Sequence, residues 1–145
     1  MTEMNQLSAS LEDYLEAIFV IISKNGGVRA KDIAKQLGVK AGSVTTALQT
    51  LAKTEHINYK PYGIITLTEK GTERAKEVIR KHNILKDFFV KILGADPDEA
   101  ETGACRIEHV ITDKLLNRLI SFTEFVKSCP QCGSDIIEKF HHFFE

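Results

Sequence analysis

Three residues with metal-binding chemistry lie close together in the second half of the chain: Cys105, Glu108 and His109. If this stretch is helical, their spacing of i, i+3 and i+4 places a thiol, a carboxylate and an imidazole on one face. Sulfur, oxygen and nitrogen donors in one cluster suit a divalent transition metal. The mixture differs from the cysteine-rich tetrahedron of a structural zinc site. It favours an exchangeable Fe²⁺ or Mn²⁺ centre, which Zn²⁺, Co²⁺ or Ni²⁺ can also occupy.

Further candidate ligands occur at helical spacing elsewhere in the chain. Asp13 and Glu16 are three residues apart within an apolar helical pattern, and His82 lies in a long predicted helix. Glu101 lies one turn before Cys105 and is a candidate ancillary ligand. Taken singly, most of these residues are better explained as surface or structural groups. Their joint occurrence on three predicted helices predicts a metal site that consists of Asp13, Glu16, His82, Cys105, Glu108 and His109.

A second pair of cysteines, Cys129 and Cys132, has the spacing C-x-x-C near the C-terminal end of the sequence. The pair supplies two of the four ligands that a structural zinc site needs, and His141 with His142, or a partner subunit, could supply the others. A turn with two free thiols and a labile redox pair are the alternatives. The odd total of three cysteines indicates metal or redox chemistry better than a disulfide framework.

The composition limits the class of protein. A chain of 145 residues fits one compact domain or two small ones that share a core. The net charge of −1 argues against a uniformly basic nucleic-acid binder, although a local basic patch remains compatible with it. No apolar run approaches the roughly 20 residues that span a bilayer, and the polar start lacks the apolar core of a signal peptide. We therefore expect a cytoplasmic protein that has no contact with a membrane.

The first half of the sequence predicts a winged helix-turn-helix. A helix capped by Ser10 is expected to stop before the segment Asn25-Gly26-Gly27. Two short helices should follow it, the second capped by Ser43 after a tight turn over 38–42. Two β-prone runs around the Pro61 turn read as a hairpin, the wing. The predicted ranges are 11–22, 29–37 and 44–55 for the helices, and 57–60 and 64–67 for the strands.

The second half of the sequence predicts helices only. A long helix should be closed by Gly94, and Pro97 should open the next one. The fold class is therefore mainly α, with an N-terminal winged helix-turn-helix carrying a small two-stranded wing, followed by an α-helical domain. We place the domains at 1–71 and 72–145, the second ending in the C-x-x-C tail. The predicted helices in the second domain are 72–93, 97–111, 113–126 and 136–144.

The second helix of the helix-turn-helix is the candidate recognition helix. Its exposed side is expected to carry short hydroxyl and amide groups that can bond phosphates or base edges. Because this helix contains no arginine, DNA shape or contacts of threonine methyls with thymine methyls would supply part of the sequence reading. A winged helix used only for protein contacts is the alternative. The expected base-facing residues are Ser43, Thr45, Thr46, Gln49 and Thr50, and the expected phosphate contacts are Lys31, Lys40, Lys53 and Lys60.

Four stretches of this sequence, together with the helix-turn-helix, resemble the DtxR/MntR family of metal-dependent transcriptional repressors. They are Ser10 to Ile18 (SLEDYLEAI), Thr66 to Gly71 (TLTEKG), Arg80 to His82 (RKH) and Ala104 to Val110 (ACRIEHV). The resemblance implies a homodimer whose winged helices bind a palindromic double-stranded operator, and a second domain for dimerisation and metal binding. It also implies that bound metal fixes the first helix relative to the second domain. The DNA contacts that it implies are Lys40, Gly42, Ser43, Thr45 and Thr46.

The same resemblance divides the metal ligands between two branches of the family. Asp13 and Glu16 stand where the manganese-sensing branch has ligands, and the iron-sensing branch has a methionine at the Asp13 position. Cys105 stands where the iron-sensing branch has a cysteine and the manganese branch a glutamate. Lys86 replaces a glutamate that the iron branch uses for a second ion. The resemblance thus leaves the metal open between Fe²⁺ and Mn²⁺; the ligands common to both branches are His82, Glu108 and His109.

These observations predict a metal-dependent DNA-binding transcriptional regulator, a repressor of metal uptake or homeostasis genes that Fe²⁺ or Mn²⁺ activates for operator binding. The alternative is a winged-helix regulator that responds to redox state or another ligand through Cys105, Cys129 and Cys132. A small metalloenzyme is the third class, but it needs an open coordination position beside a general base. No motif such as H-E-x-x-H provides one, so we expect that the protein is not an enzyme.

Overall fold

A computed structural model describes residues 6–131 and 133–144. It is mainly helical with one two-stranded antiparallel sheet, as the sequence predicts. The elements are α1 (Ala9–Asn25), α2 (Ala30–Leu37), α3 (Ala41–Lys53), β1 (Ile57–Asn58), β2 (Thr66–Leu67), α4 (Glu69–Asp87), a π-helix (Phe88–Ile92), α5 (Pro97–Ile107), α6 (Asp113–Ser128) and α7 (Gly133–Phe143). Two compact units divide the chain, Met1–Ile79 and Arg80–Glu145, and α4 begins in the first and ends in the second. None of the described helices has the length and apolar character needed to cross a membrane.

The first unit is a helix-turn-helix with a short wing. The buried faces of α1, α2 and α3 meet in a common core, whose fully buried members include Leu15, Ile18, Ile33, Leu48 and Leu51. In the wing, Ile57 lies opposite Leu67 and Asn58 opposite Thr66. Each strand is two residues long and therefore shorter than predicted. Lys60 already belongs to a turn, closed by a 2.8 Å hydrogen bond from Gly63 N to Lys60 O, and Ile65 forms a bridge with Val28.

The prediction that Ser10 and Ser43 are helix N-caps is wrong. Ser8 caps α1 by accepting a 3.3 Å hydrogen bond from Leu11 N, so Ser10 already lies within the first turn. Lys40 occupies the N-cap position of α3, and the predicted turn over 38–42 is shorter. Gly38 ends α2 in the left-handed conformation, with φ of 64°, which reverses the chain quickly enough for Gly42 and Ser43 to join the next helix.

The start of α4 is fixed against the turn that precedes β1. The Thr68 hydroxyl donates to Glu55 O at 2.7 Å and accepts from Gly71 N at 3.0 Å. A side chain at position 71 would collide with the carbonyl oxygen of His56, so this close approach requires glycine. The Thr68 hydrogen bonds let α4 begin at Glu69, three residues before the predicted start.

His56 makes the stability of the first unit depend on pH. Burial lowers its pKa, and the nearby positive charges of Lys70 and Arg74 lower the pKa further, so the folded state disfavours the protonated ring. The unfolded chain takes up that proton near pH 6.5. We expect the free energy of unfolding to be greatest above about pH 7 and to fall as the pH drops below roughly 6.5. Urea unfolding with a chelator present, compared between wild type and His56→Gln, tests this: a variant that keeps the wild-type slope would contradict it.

The second unit packs around a small core formed by Leu85, Ala104, Ile111 and Leu116. The predicted long helix ends as an α-helix at Asp87 and continues as the π-helix, and Gly94, with φ of 70°, ends it as expected. Asp96 caps α5 and Pro97 opens it, also as expected.

The helix α5 ends at Ile107 rather than 111. The carbonyl oxygen of Ile107 accepts from both Val110 N and Ile111 N, at 3.0 and 2.9 Å. These bonds close a turn, and Thr112 then caps α6 by accepting a 3.2 Å hydrogen bond from Leu115 N. Glu108 is consequently the C-cap residue of α5, still in helical conformation, and His109 lies in the turn that follows.

Candidate functional site

Three candidate ligands come together in the second unit. The helix α4 carries His82, and the end of α5 carries Cys105 and Glu108. Nδ1 of His82 lies 2.7 Å from Oε2 of Glu108 and 3.7 Å from Sγ of Cys105. One donor atom from each residue lies within 4.8 Å of the other two. Donors that share a transition metal at about 2.0–2.3 Å lie roughly 3–4 Å apart, so these three residues fit one ion.

The burial and charge of this cluster also favour a cation. Glu108 is 2% exposed and His82 is 8% exposed, while Cys105 is open to solvent. A buried carboxylate is costly unless positive or hydrogen-donating groups surround it. Here the imidazoles of His82 and His109 approach it, the latter with Nε2 3.4 Å from Oε1 of Glu108. Nitrogen, sulfur and oxygen donors gathered around a buried negative charge are the chemistry that a divalent transition metal prefers.

Glu101 contacts the opposite edge of the His82 ring. Its Oε1 lies 3.1 Å from Nε2 of His82, and its Oε2 lies 2.6 Å from Nζ of Lys86. The hydrogen bond from Lys86 holds the pKa of Glu101 below its usual value, so the carboxylate is ionised. A carboxylate on one ring nitrogen, with donor atoms facing the other, is how proteins orient a metal-binding histidine. This contact of Lys86 was not expected from the sequence, although the i, i+4 spacing of Lys86 from His82 places both residues on one face of α4.

Asp13 and Glu16, the other two candidate ligands, lie one turn apart on α1 in the first unit. Asp13 is exposed and Glu16 is half-buried. Their participation in a metal site stays a prediction, as does metal binding by the residues of the second unit.

Glu12, next to Asp13, has a structural role that was not expected from the sequence. Its carboxylate is buried and forms an ion pair with Arg74 of α4, which also pairs with Glu77 at 3.0 Å. Burial by itself lowers the pKa of Arg74, but the hydrogen bonds and charges of the two glutamates raise that pKa above its usual value. The pair ties α1 to the first turns of α4. Its sequence signal was the i, i+3 spacing from Leu15, which places Glu12 on the apolar face.

Only part of the predicted second site near the C-terminal end lies within the described residues. Cys129 ends α6 and is disulfide-bonded, while Cys132 lies outside the described residues. Nε2 of His141 donates a 3.1 Å hydrogen bond to Ile92 O, and its ring packs against Gly94. His141 therefore has a structural contact at the end of the π-helix. A metal or redox role for Cys129 and Cys132 stays a prediction.

The helix α3 presents the polar surface expected of a recognition helix. Val44, Leu48 and Leu51 are buried, and the threonine hydroxyls at 45 and 46 donate to Ala41 O and Gly42 O at 3.2 and 3.1 Å. Because those protons are used within the helix, the hydroxyl oxygens can accept from adenine N6 or cytosine N4, and the methyl groups can meet thymine methyls. The predicted DNA-contact residues are exposed except Thr50, which is half-buried. The exposed ones are Lys31, Lys40, Gly42, Ser43, Thr45, Thr46, Gln49, Lys53 and Lys60.

One unit is thus a winged helix with an exposed recognition surface, and the other brings together nitrogen, sulfur and oxygen donors. This combination defines a DNA-binding regulator with a metal-binding domain. Residues 6–65 match the family described as "Iron dependent repressor, N-terminal DNA binding domain". Residues 68–137 match "Iron dependent repressor, metal binding and dimerisation domain". The chain belongs to this family, the DtxR/MntR family of metal-dependent transcriptional regulators.

Comparison with individual relatives supports the same family assignment. The chain is 42% identical over 122 residues to an uncharacterized HTH-type transcriptional regulator of Methanocaldococcus jannaschii, covering 83% of this chain and 98% of that one. It is 35% identical over 121 residues to the regulator MntR of Listeria monocytogenes, covering 83% and 84%. The family consists of transcriptional regulators, which removes the metalloenzyme alternative.

Solved structures show the same fold. The manganese regulator SloR superposes with a TM-score of 0.71 at 28% identity, covering 83% of this chain and 56% of that one. For IdeR of T. acidophilum, the TM-score is 0.69 at 26% identity, with 78% and 53% covered. This chain therefore spans about half the length of these two proteins.

Proposed function

We propose that this chain is a metal-activated repressor that binds a palindromic DNA operator as a homodimer and controls genes of metal uptake or homeostasis. The observation that carries the proposal is the convergence of His82, Cys105 and Glu108 in a chain that also presents an exposed recognition helix. We assign Fe²⁺ or Mn²⁺ as the activating ion, with Zn²⁺, Co²⁺ or Ni²⁺ as competitors.

The full ligand set in this proposal adds His109, Asp13 and Glu16 to those three residues. A bound cation supplies the positive charge that holds thiolate, imidazole and carboxylates together. The thiol of Cys105 favours Fe²⁺, whereas the carboxylate of Asp13 favours Mn²⁺. Two structural relatives support a divalent ion: one is described as a manganese-dependent transcriptional repressor in complex with manganese, another as ScaR with bound Zn²⁺.

Activation requires that the metal bind the DNA-competent arrangement more tightly than the others, and operator DNA must then raise metal affinity by the same factor. In the proposed complex, Thr45, Thr46 and Gln49 read bases from the major groove, while Lys31 and Lys40 contact phosphates. For dimerisation, α6 exposes the apolar side chains of Leu115, Phe122 and Phe125. These are suited to a second copy.

A metal titration of DNA binding tests the proposal. A duplex selected from a randomised library by the Mn²⁺-loaded chain serves as the probe, and fluorescence anisotropy reports affinity for apoprotein with added Mn²⁺, anaerobic Fe²⁺ or Zn²⁺. We expect metal to raise affinity by about 10- to 100-fold, the usual size of such coupling. Gln49→Ala is the control, since it should lose DNA affinity but keep metal affinity. Binding that ignores metal but responds to peroxide would favour the cysteine-based alternative instead.

A further inference from the structure

The tip of the wing has an unusual backbone. Lys60 to Gly63 form a tight turn in which Pro61 is the second residue and Tyr62 the third. Tyr62 has φ of 61°, in the left-handed region. The third position of a turn with this geometry normally holds glycine or asparagine, because a bulky side chain is strained there. The turn therefore keeps a tyrosine where the backbone favours glycine.

Packing within the protein does not compensate for this strain. The exposed fraction of Tyr62 is 109%, and Ile64, two residues further on, is 77% exposed. The hydrophobic effect opposes holding an aromatic ring and a branched apolar side chain in water. Strained positions that gain nothing from folding are typical of functional surfaces. Contact with a partner would give these two exposed side chains a role that folding does not give them.

A groove of about 750 Å³ beside the wing favours an anionic partner. Its walls are the wing and the helices α2 and α3, with Arg29 and Lys31 on one side and Thr45 and Gln49 on another. Among the described residues that line it are two cations and no carboxylate. A bridge between Val28 and Ile65 joins the base of the wing to the chain before α2, so the wing is held beside the recognition helix. A polyanion bound in this groove against Thr45 and Gln49 would therefore also contact the wing.

We propose that Tyr62 and Ile64 enter the minor groove of the operator next to the segment that α3 reads, while Arg29 and Lys31 contact the phosphates between. The inference rests on the operator binding proposed above. Apolar side chains suit the minor groove, where they pack on sugars and widen or unstack base steps. The operator flank under the wing should consequently favour A·T pairs or easily deformed steps.

Tyr62→Gly separates this role from a structural one. The variant removes the ring and also the backbone strain, so its melting temperature should equal or exceed that of wild type. Its affinity for the selected duplex should nevertheless fall about tenfold, as expected for the loss of an aromatic anchor. Tyr62→Phe should bind nearly as well as wild type. Glu55 is the other non-glycine residue with a left-handed backbone in the described part of the chain. The change in melting temperature of Glu55→Gly therefore shows how much stability the removal of such strain adds. Wild-type affinity in Tyr62→Gly would overturn the proposal.

Base substitution in the flank identifies the groove. Inosine·cytosine pairs present the minor-groove edge of A·T and the major-groove edge of G·C. Wild type should tolerate inosine·cytosine but not G·C in the flank, and Tyr62→Gly should be indifferent to both. Equal loss with both replacements would place the contact in the major groove and refute the inference. If Gln49→Ala weakens DNA binding but Tyr62→Gly does not, the proposed wing contact is wrong and operator reading by α3 stands. If Gln49→Ala also binds DNA like wild type, the proposed reading of the operator by α3 is wrong.

Discussion

Glu108→Gln is expected to lower the affinity of the apoprotein for Mn²⁺ by at least about a hundredfold and to abolish the metal response of DNA binding. Loss of a partner that merely supports a ligand costs 10- to 100-fold, and Glu108 is a direct ligand in our proposal. Its carboxylate is buried beside His82 and His109, where an amide supplies no negative charge to a cation. Isothermal titration calorimetry gives the metal affinity, and anisotropy with the selected duplex gives the DNA response.

Glu101→Gln is the matched control for this experiment. Glu101 contacts the far nitrogen of His82, and its side chain is 46% exposed, so we expect it to orient the ring rather than bind the ion directly. We expect a loss of about tenfold in metal affinity, with DNA activation retained at higher metal concentration. Equal losses in the two variants would make Glu101 a ligand. Wild-type metal affinity in Glu108→Gln would remove Glu108 from the site.

Glu12→Ala is expected to lower the free energy of unfolding by about 3 kcal/mol, because it leaves the partly buried guanidinium of Arg74 without its buried partner. Glu77→Gln is the control. Glu77 also pairs with Arg74, but its side chain is 40% exposed, and such pairs contribute at most about 1 kcal/mol. Urea unfolding of metal-free protein measures both losses, and similar small losses in the two variants would show that the Glu12 pair is not a major contact between α1 and α4.

Periodicity was a reliable guide to the helices, because the apolar faces of α1, α3 and α6 recur every three or four residues and each must be buried. Helix ends were harder to predict. Ser10 and Ser43 have good capping side chains, yet Ser8 and Lys40 hold the N-cap positions. Which residue caps a helix depends on where the preceding turn delivers the chain, and the left-handed Gly38 sets that point for α3.

The sequence by itself determined the donor types and their local order. Cys105 and Glu108 share a face because helical spacing fixes the relative directions of residues three apart. The exposed polar row of α3 follows from the same geometry. These features require only the backbone of one helix, which is why spacing along the chain was sufficient.

The tertiary structure determined which residues of different helices contact each other. It brought His82 of α4 to the end of α5, turned Glu101 toward His82 and Lys86, and buried Glu12 against Arg74. Distances between helices depend on how core side chains that are far apart in sequence pack together, and this packing cannot be predicted from local spacing. For the same reason, the sequence marked Pro61 and Gly63 as a turn but gave no sign that Tyr62 would stand beside the recognition helix.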